Sequence, residues 1–158
     1  MYEGYGQYVF TGTHASRVKE LVSFGFFPRN VDVLLVAPIV GFEYGVRAAK
    51  NNLDDDDTKV FLEQLQKADS RLELNYKTIM LLDKEHEPDE ETRIKKAFQI
   101  SPKDRSQSDL NRYEEYVRGG VDFLYEKIIG TGNTPDERVR ELYDLVDSFA
   151  SRYQRDEV

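Results

Sequence analysis

The residues of this chain best suited to chemistry are carboxylates. Four stand together as Asp54–Asp57, and another, Glu43, sits between two glycines in the apolar stretch "GFEYG". A run of aspartates is the raw material of a divalent-cation site. An EF-hand loop, however, needs alternating oxygen ligands, a central glycine and a glutamate at its twelfth position. Here Lys59 and Val60 occupy the wrong places and no glycine follows. The aspartates therefore read as a helix start, with Asp56 or Asp57 as the cap and the others complementing the helix dipole. A metal-dependent enzyme built on them and Glu43 is the third-ranked functional reading. Glu43 itself, in a segment expected to be buried, must be paired or lie along an exposed edge. Arg47, four residues on, is its expected partner.

His14 and His86 are the only histidines, and no His-pair spacing suited to a metal exists. Both read as surface residues. "GTHAS" is not the Gly-x-Ser-x-Gly of a nucleophile elbow, and "GTGNTP" lacks the Gly-Lys-Ser/Thr ending that cradles phosphates. No catalytic, cofactor-binding or metal-ligating residue is assigned, and no cofactor is expected.

Charge narrows the partner classes. The formal net charge is −8, with 30 acidic against 22 basic residues, which argues against a broad surface tracking nucleic-acid phosphates. Weak or indirect DNA contact would draw on Lys95, Lys96, Lys103, Arg105 and Arg112, near segment ends, and this makes a DNA-binding regulator the second-ranked reading. The absence of cysteine removes disulfides and thiolate metal sites and fits a reducing cytosol. No secretory signal is visible, and the longest apolar run, "VLLVAPIVGF" at 33–42, is about half a membrane span. A cytoplasmic protein with no membrane partner is expected.

The elements that must position these groups are mainly helical. "GQYVFTG" (6–12) reads as a short strand or extended arm, and "THASRVKELVSF" (13–24) as a short helix with Thr13 at its N-cap. "VDVLLVAPIVGFEYGVRAAKNN" (31–52) is open between strand and helix over 31–40. A kinked, buried helix is favoured, because the apolar run passes into "GFEYGVRAAK" without turn residues. Residues 53–86 form a long helix with Phe61, Leu65, Ala68, Leu72, Tyr76 and Ile79 on one face. Residues 87–99 restart a helix with Pro88 in its first turn, and 109–129 form another. The last helix, 134–153, opens with a Thr134/Glu137 capping box around Pro135. Its expected buried stripe is Val139, Leu142, Val146, Phe149 and Tyr153. With 39% hydrophobic residues and no linker or repeat, residues 1–158 read as one mainly α, compact domain of five to six helices. Residues 1–12 are its N-terminal arm or strand.

"YEEYVRGGVDFLYEKIIG" (113–130) carries two adjacent glycines near the centre of a helix, a local cost of about 2 kcal/mol. Gly41 and Gly45 lie one turn apart in the other apolar segment. Glycine on a buried face lets two backbones approach closely, so Gly41, Gly45, Gly119 and Gly120 are expected to mark a crossing of the 31–50 and 109–129 helices. The order "VDVLLVAPIVGFEYG", "IMLLD", "EEYVRGGVDFLYEKI" resembles small proteins found beside bacterial DNA-phosphorothioation (Dnd) defence systems, over about residues 8–129. Such systems sulfur-modify DNA and couple this to restriction. The resemblance implies an accessory setting and brings no catalytic residues with it.

The leading expectation is thus a non-enzymatic accessory or regulatory subunit of an anti-phage or DNA-modification system, acting by binding another protein or by self-association. The N-terminal aromatics Tyr2, Tyr5, Tyr8, Phe10, Phe24, Phe26 and Phe27 supply either partner anchors or core; Tyr5, Tyr8, Phe26 and Phe27 are the candidate anchors.

Overall fold

In a computed structural model the described residues are 6–51, 55–132 and 134–153. Tyr2, Tyr5 and Asp54 lie outside them. The chain runs β1 (Gln7–Thr11), α1 (Thr13–Ser23), α2 (Asn30–Glu43), β2 (Asp57–Phe61), α3 (Leu62–Leu82), α4 (Glu90–Phe98), α5 (Gln107–Tyr125) and α6 (Pro135–Ser151). A single π-helical turn, Glu126–Gly130, ends α5. The protein is mainly α-helical, with six α-helices and a small two-stranded sheet among the described residues.

The apolar segment at 31–40 is helix. Val31, Val33, Leu34, Leu35, Ala37, Pro38, Val40 and Gly41 are all buried, so α2 is apolar around its circumference and is wrapped by α1, α3 and α5. A helix apolar on nearly every side has no polar stripe to betray its period, which is why its sequence fits either conformation. Pro38 has no N–H to offer the Leu34 carbonyl, and the neighbouring Leu35 carbonyl accepts a 2.7 Å bond from Asn75 Nδ2 of α3.

α2 is shorter than expected. It ends at Glu43 in a Schellman motif, with Gly45 at φ 65°. Val46 N–H donates to the Gly41 carbonyl at 2.8 Å, and Gly45 N–H to that of Phe42 at 3.1 Å. Gly45 is therefore a helix stop. A Cβ there would meet nothing within 4 Å, so it takes no part in a helix crossing.

The other three glycines do admit neighbouring backbone. A Cβ on Gly120 would collide with the Ala37 carbonyl, and one on Gly41 with the Tyr116 carbonyl, where α2 and α5 cross. Gly119 serves a different neighbour: a Cβ there would strike the Val46 carbonyl. Residues 46–50 run beside α5, tied by Ala48 N–H to the Glu115 carbonyl at 3.0 Å and by Arg118 Nε to the Ala48 carbonyl at 2.8 Å. Each glycine of the pair thus clears the way for a separate piece of chain, and the packing gained offsets the lost helix propensity.

β2 corrects the expected helix start. Asp57–Phe61 pairs antiparallel with β1, Tyr8 opposite Val60 and Phe10 opposite Thr58. Neither Asp56 nor Asp57 caps α3. Asp56 accepts from Ser16 Oγ at 2.9 Å and from Lys19 Nζ, while Asp57 lies in the strand. Phe61 is the N-cap residue, and its N–H is taken by Gln64 Oε1 at 3.3 Å. Phe61 is also exposed, whereas Leu65, Ala68, Leu72, Tyr76 and Ile79 are buried on the α3 stripe. Gly12, not Thr13, is the N-cap residue of α1. At α4 the cap is Asp89, which accepts from Thr92 N–H at 2.8 Å, leaving Pro88 outside the helix. α6 carries the Thr134/Glu137 capping box with Pro135 at its first position.

Candidate interaction surface

α6 is the one α-helix without a buried residue among those described. Leu142, Leu145 and Phe149 turn toward α2 and are half-buried. Val139, Tyr143, Val146 and Tyr153 are 61, 74, 60 and 61% exposed. The stripe expected to be buried is therefore covered along one edge only. Between α6 and α2 lies a groove of about 430 Å³, walled by Leu35, Val36 and Ile39 on one side and Leu142, Leu145 and Phe149 on the other. Phe26 and Phe27 close one end of it.

Polar contacts hold α6 over this groove at both ends. Near its start, Arg138 Nε donates to the Gly132 carbonyl at 3.0 Å, and its guanidinium stacks 4.2 Å from the Phe24 ring. Beyond its last turn, Arg152 meets Glu43 at 3.1 Å and stacks on Tyr44 at 4.3 Å, while Tyr153 Oη donates to Glu43 at 2.5 Å. This corrects the expected Glu43–Arg47 pair. Arg47 instead meets Glu85 at 3.0 Å and Glu115 at 3.7 Å. The short step from Glu43 to Arg47 spans the helix stop at Gly45, so the two side chains do not share a helix face.

The candidate aromatic anchors separate. Phe27 is buried and Phe26 half-buried, both at the groove. Tyr8 packs edge-on against Phe10 with ring centroids 4.9 Å apart. Its hydroxyl donates to Glu114 at 2.7 Å, and burial, reinforced by that carboxylate, raises its pKa well above the usual tyrosine value. Tyr8 lines a second, polar cavity of about 140 Å³ with His14, Lys50, Glu114 and Arg118.

Three of the five basic residues expected at a nucleic-acid face turn inward. Lys96 meets Asp109 at 3.0 Å and Glu87 at 3.2 Å. Arg105 pairs with Glu73 and stacks 3.9 Å from the centre of the Tyr76 ring. Arg112 grips Asp83 with Nε at 2.7 Å and reaches Glu85 at 3.1 Å. Only Lys95 and Lys103 of the five are exposed. The reason is local: α3, α4 and α5 converge on buried carboxylates, and these basic side chains neutralise them.

Neither histidine is a surface residue. His14 is 4% exposed, with Nε2 3.3 Å from Asp122, which Arg17 approaches at 2.7 Å. Burial works against the Asp122 carboxylate, yet His14 and Arg17 hold its pKa below the ordinary aspartate value. His86 Nε2 lies 2.7 Å from Asp109. Among the described residues no three His, Asp or Glu side chains are grouped so as to hold a metal ion, and no helix is long and apolar enough to cross a membrane.

Sequence reasoning missed Tyr143 as a surface group and treated the α6 stripe as core. One signal was present. Leu142, Tyr143, Leu145, Val146, Phe149 and Ala150 make an apolar arc wider than a single packing seam needs. No protein-family model, curated protein or solved structure matches this chain.

Proposed function

We propose that this chain is a non-enzymatic accessory subunit whose α6–α2 surface binds another protein. The observation that carries this reading is the exposed apolar stripe of α6, Val139, Tyr143 and Val146, beside an apolar groove. Large apolar side chains are exposed elsewhere too, among them Phe61, Leu74 and Phe98, but those of α6 line up along one helix beside an apolar groove, and tyrosine combines large contact area with few rotatable bonds. The resemblance of the α2 and α5 segments to small Dnd-associated proteins supports placing the partner in a bacterial anti-phage or DNA-modification system. A DNA-binding role has less support, because Lys96, Arg105 and Arg112 are engaged in ion pairs. A metal-dependent role on the acidic run also has less support, because Asp56 is engaged by Ser16 and Lys19.

Native mass spectrometry of the tagged chain, purified from its own host, tests this. The expected outcome is a stoichiometric protein complex that disappears for Tyr143→Asp, at an exposed site outside the groove, while the melting temperature stays unchanged. Recovery of the wild-type chain without any protein partner overturns the reading.

A further inference from the structure

The exposed stripe of α6 is periodic, and its borders are charged. Val139, Tyr143, Val146 and Ala150 are spaced 4, 3 and 4 residues apart, and all are exposed. That spacing averages the heptad repeat by which one helix accepts another along a seam. At about 100° per residue, Asp136, Asp144 and Asp147 fall on the solvent-side flank of the seam. All three are exposed, and Arg140 is the one cation among them. The opposite flank is the apolar groove against α2.

Charge selects among the possible occupants. A helix that lies on an anionic membrane carries lysine and arginine on its polar face, whereas this flank is acidic. Nucleic acid is disfavoured for the same reason. A second copy would bring like-charged flanks together on a chain of net charge −8. Resting on the protein-binding reading above, we propose that α6 receives one amphipathic helix of a partner protein, with apolar residues at heptad spacing and lysine or arginine bordering them.

Two synthetic peptides test this directly. Both have three heptads with leucine at the seam positions; one carries lysine at the flanking positions and the other glutamate. Each peptide repels itself, so both enter the titration as monomers. Fluorescence anisotropy with the full chain is expected to show the lysine peptide binding at least about tenfold tighter at low salt, with the margin shrinking near 0.5 M salt. Val146→Asp should abolish binding although it adds negative charge, which separates seam packing from simple ion attraction. The double variant Asp144→Lys/Asp147→Lys should shift the preference toward the glutamate peptide. Equal binding of the two peptides, or binding of neither, overturns the proposal. So does a dimer of the chain in sedimentation velocity that Val146→Asp dissolves, since a second copy would then occupy the seam. A native complex that persists when neither peptide binds removes the helix class but leaves the protein-binding reading standing. Peptide binding without any native complex removes the protein-binding reading and, with it, the proposal that rests on it.

Discussion

At the residue scale, the informative side chains are the charged ones that folding took out of water. Asp83 is 3% exposed and is held by Arg112, by the Tyr116 hydroxyl at 2.9 Å and by the His86 backbone N–H at 3.0 Å. Removing one partner of a buried pair leaves an uncompensated charge, which costs more than the intact pair contributes. Arg112→Ala is therefore expected to cost about 3 kcal/mol in urea denaturation, whereas Lys103→Ala, at an exposed site, should change stability by less than about 0.5 kcal/mol. Equal effects would mean that the Asp83–Arg112 contact is not part of the stable core. A composition count cannot make this distinction, because Lys103 and Arg112 contribute the same formal charge.

At the element scale, two glycines of the "GFEYG" stretch do opposite work. Gly41 lies where α2 meets α5, and Gly45 ends α2 by adopting a left-handed conformation that side chains disfavour. Gly120→Ala places a methyl group against the Ala37 carbonyl, with rigid backbone on both sides. Its expected cost is about 3 kcal/mol or more, since overpacking cannot be relieved by a rotamer change. Gly45→Ala meets no neighbour and should cost about 1 kcal/mol from backbone strain alone. Thermal unfolding of the two variants side by side checks the order; a Gly120→Ala protein with wild-type melting temperature would refute the close crossing. Sequence spacing exposed the glycine liability but could not assign its causes, because Gly45 and Gly120 are identical in composition and differ only in what surrounds them.

At the scale of the whole molecule, ion pairs between distant elements tie stability to pH. Asp109 is buried, which would raise its pKa, yet bonds from Ser106, His86 and Lys96 hold it below the ordinary value. Asp122 is lowered in the same way by His14 and Arg17. A carboxylate with a folded-state pKa below its unfolded one contributes full stability above the unfolded value, near pH 4, and loses it as pH falls through the folded one. Unfolding free energy should therefore decline below about pH 4, with Asp122→Asn reducing the steepness of that decline. An unchanged acid limb in Asp122→Asn would show that its partners do not favour the charged form.

What the sequence alone determined is the set of features governed by neighbours within a turn or two. These include the helical class, the α3 stripe from Leu65 to Ile79, the α6 capping box and the cost carried by Gly119 and Gly120. Each follows from local periodicity or backbone preference, which operate before any distant segment arrives. Tertiary structure decided the rest. β2 needed β1, some fifty residues earlier, to supply its hydrogen bonds. Lys96, Arg105 and Arg112 were drawn inward because carboxylates from other elements lay there. The α6 stripe stayed in water because α2 was already enclosed by α1, α3 and α5, leaving only one edge for α6 to cover. Apolar periodicity specifies which face of a helix can be buried; whether it is buried depends on how much complementary surface the remaining fold has left to offer.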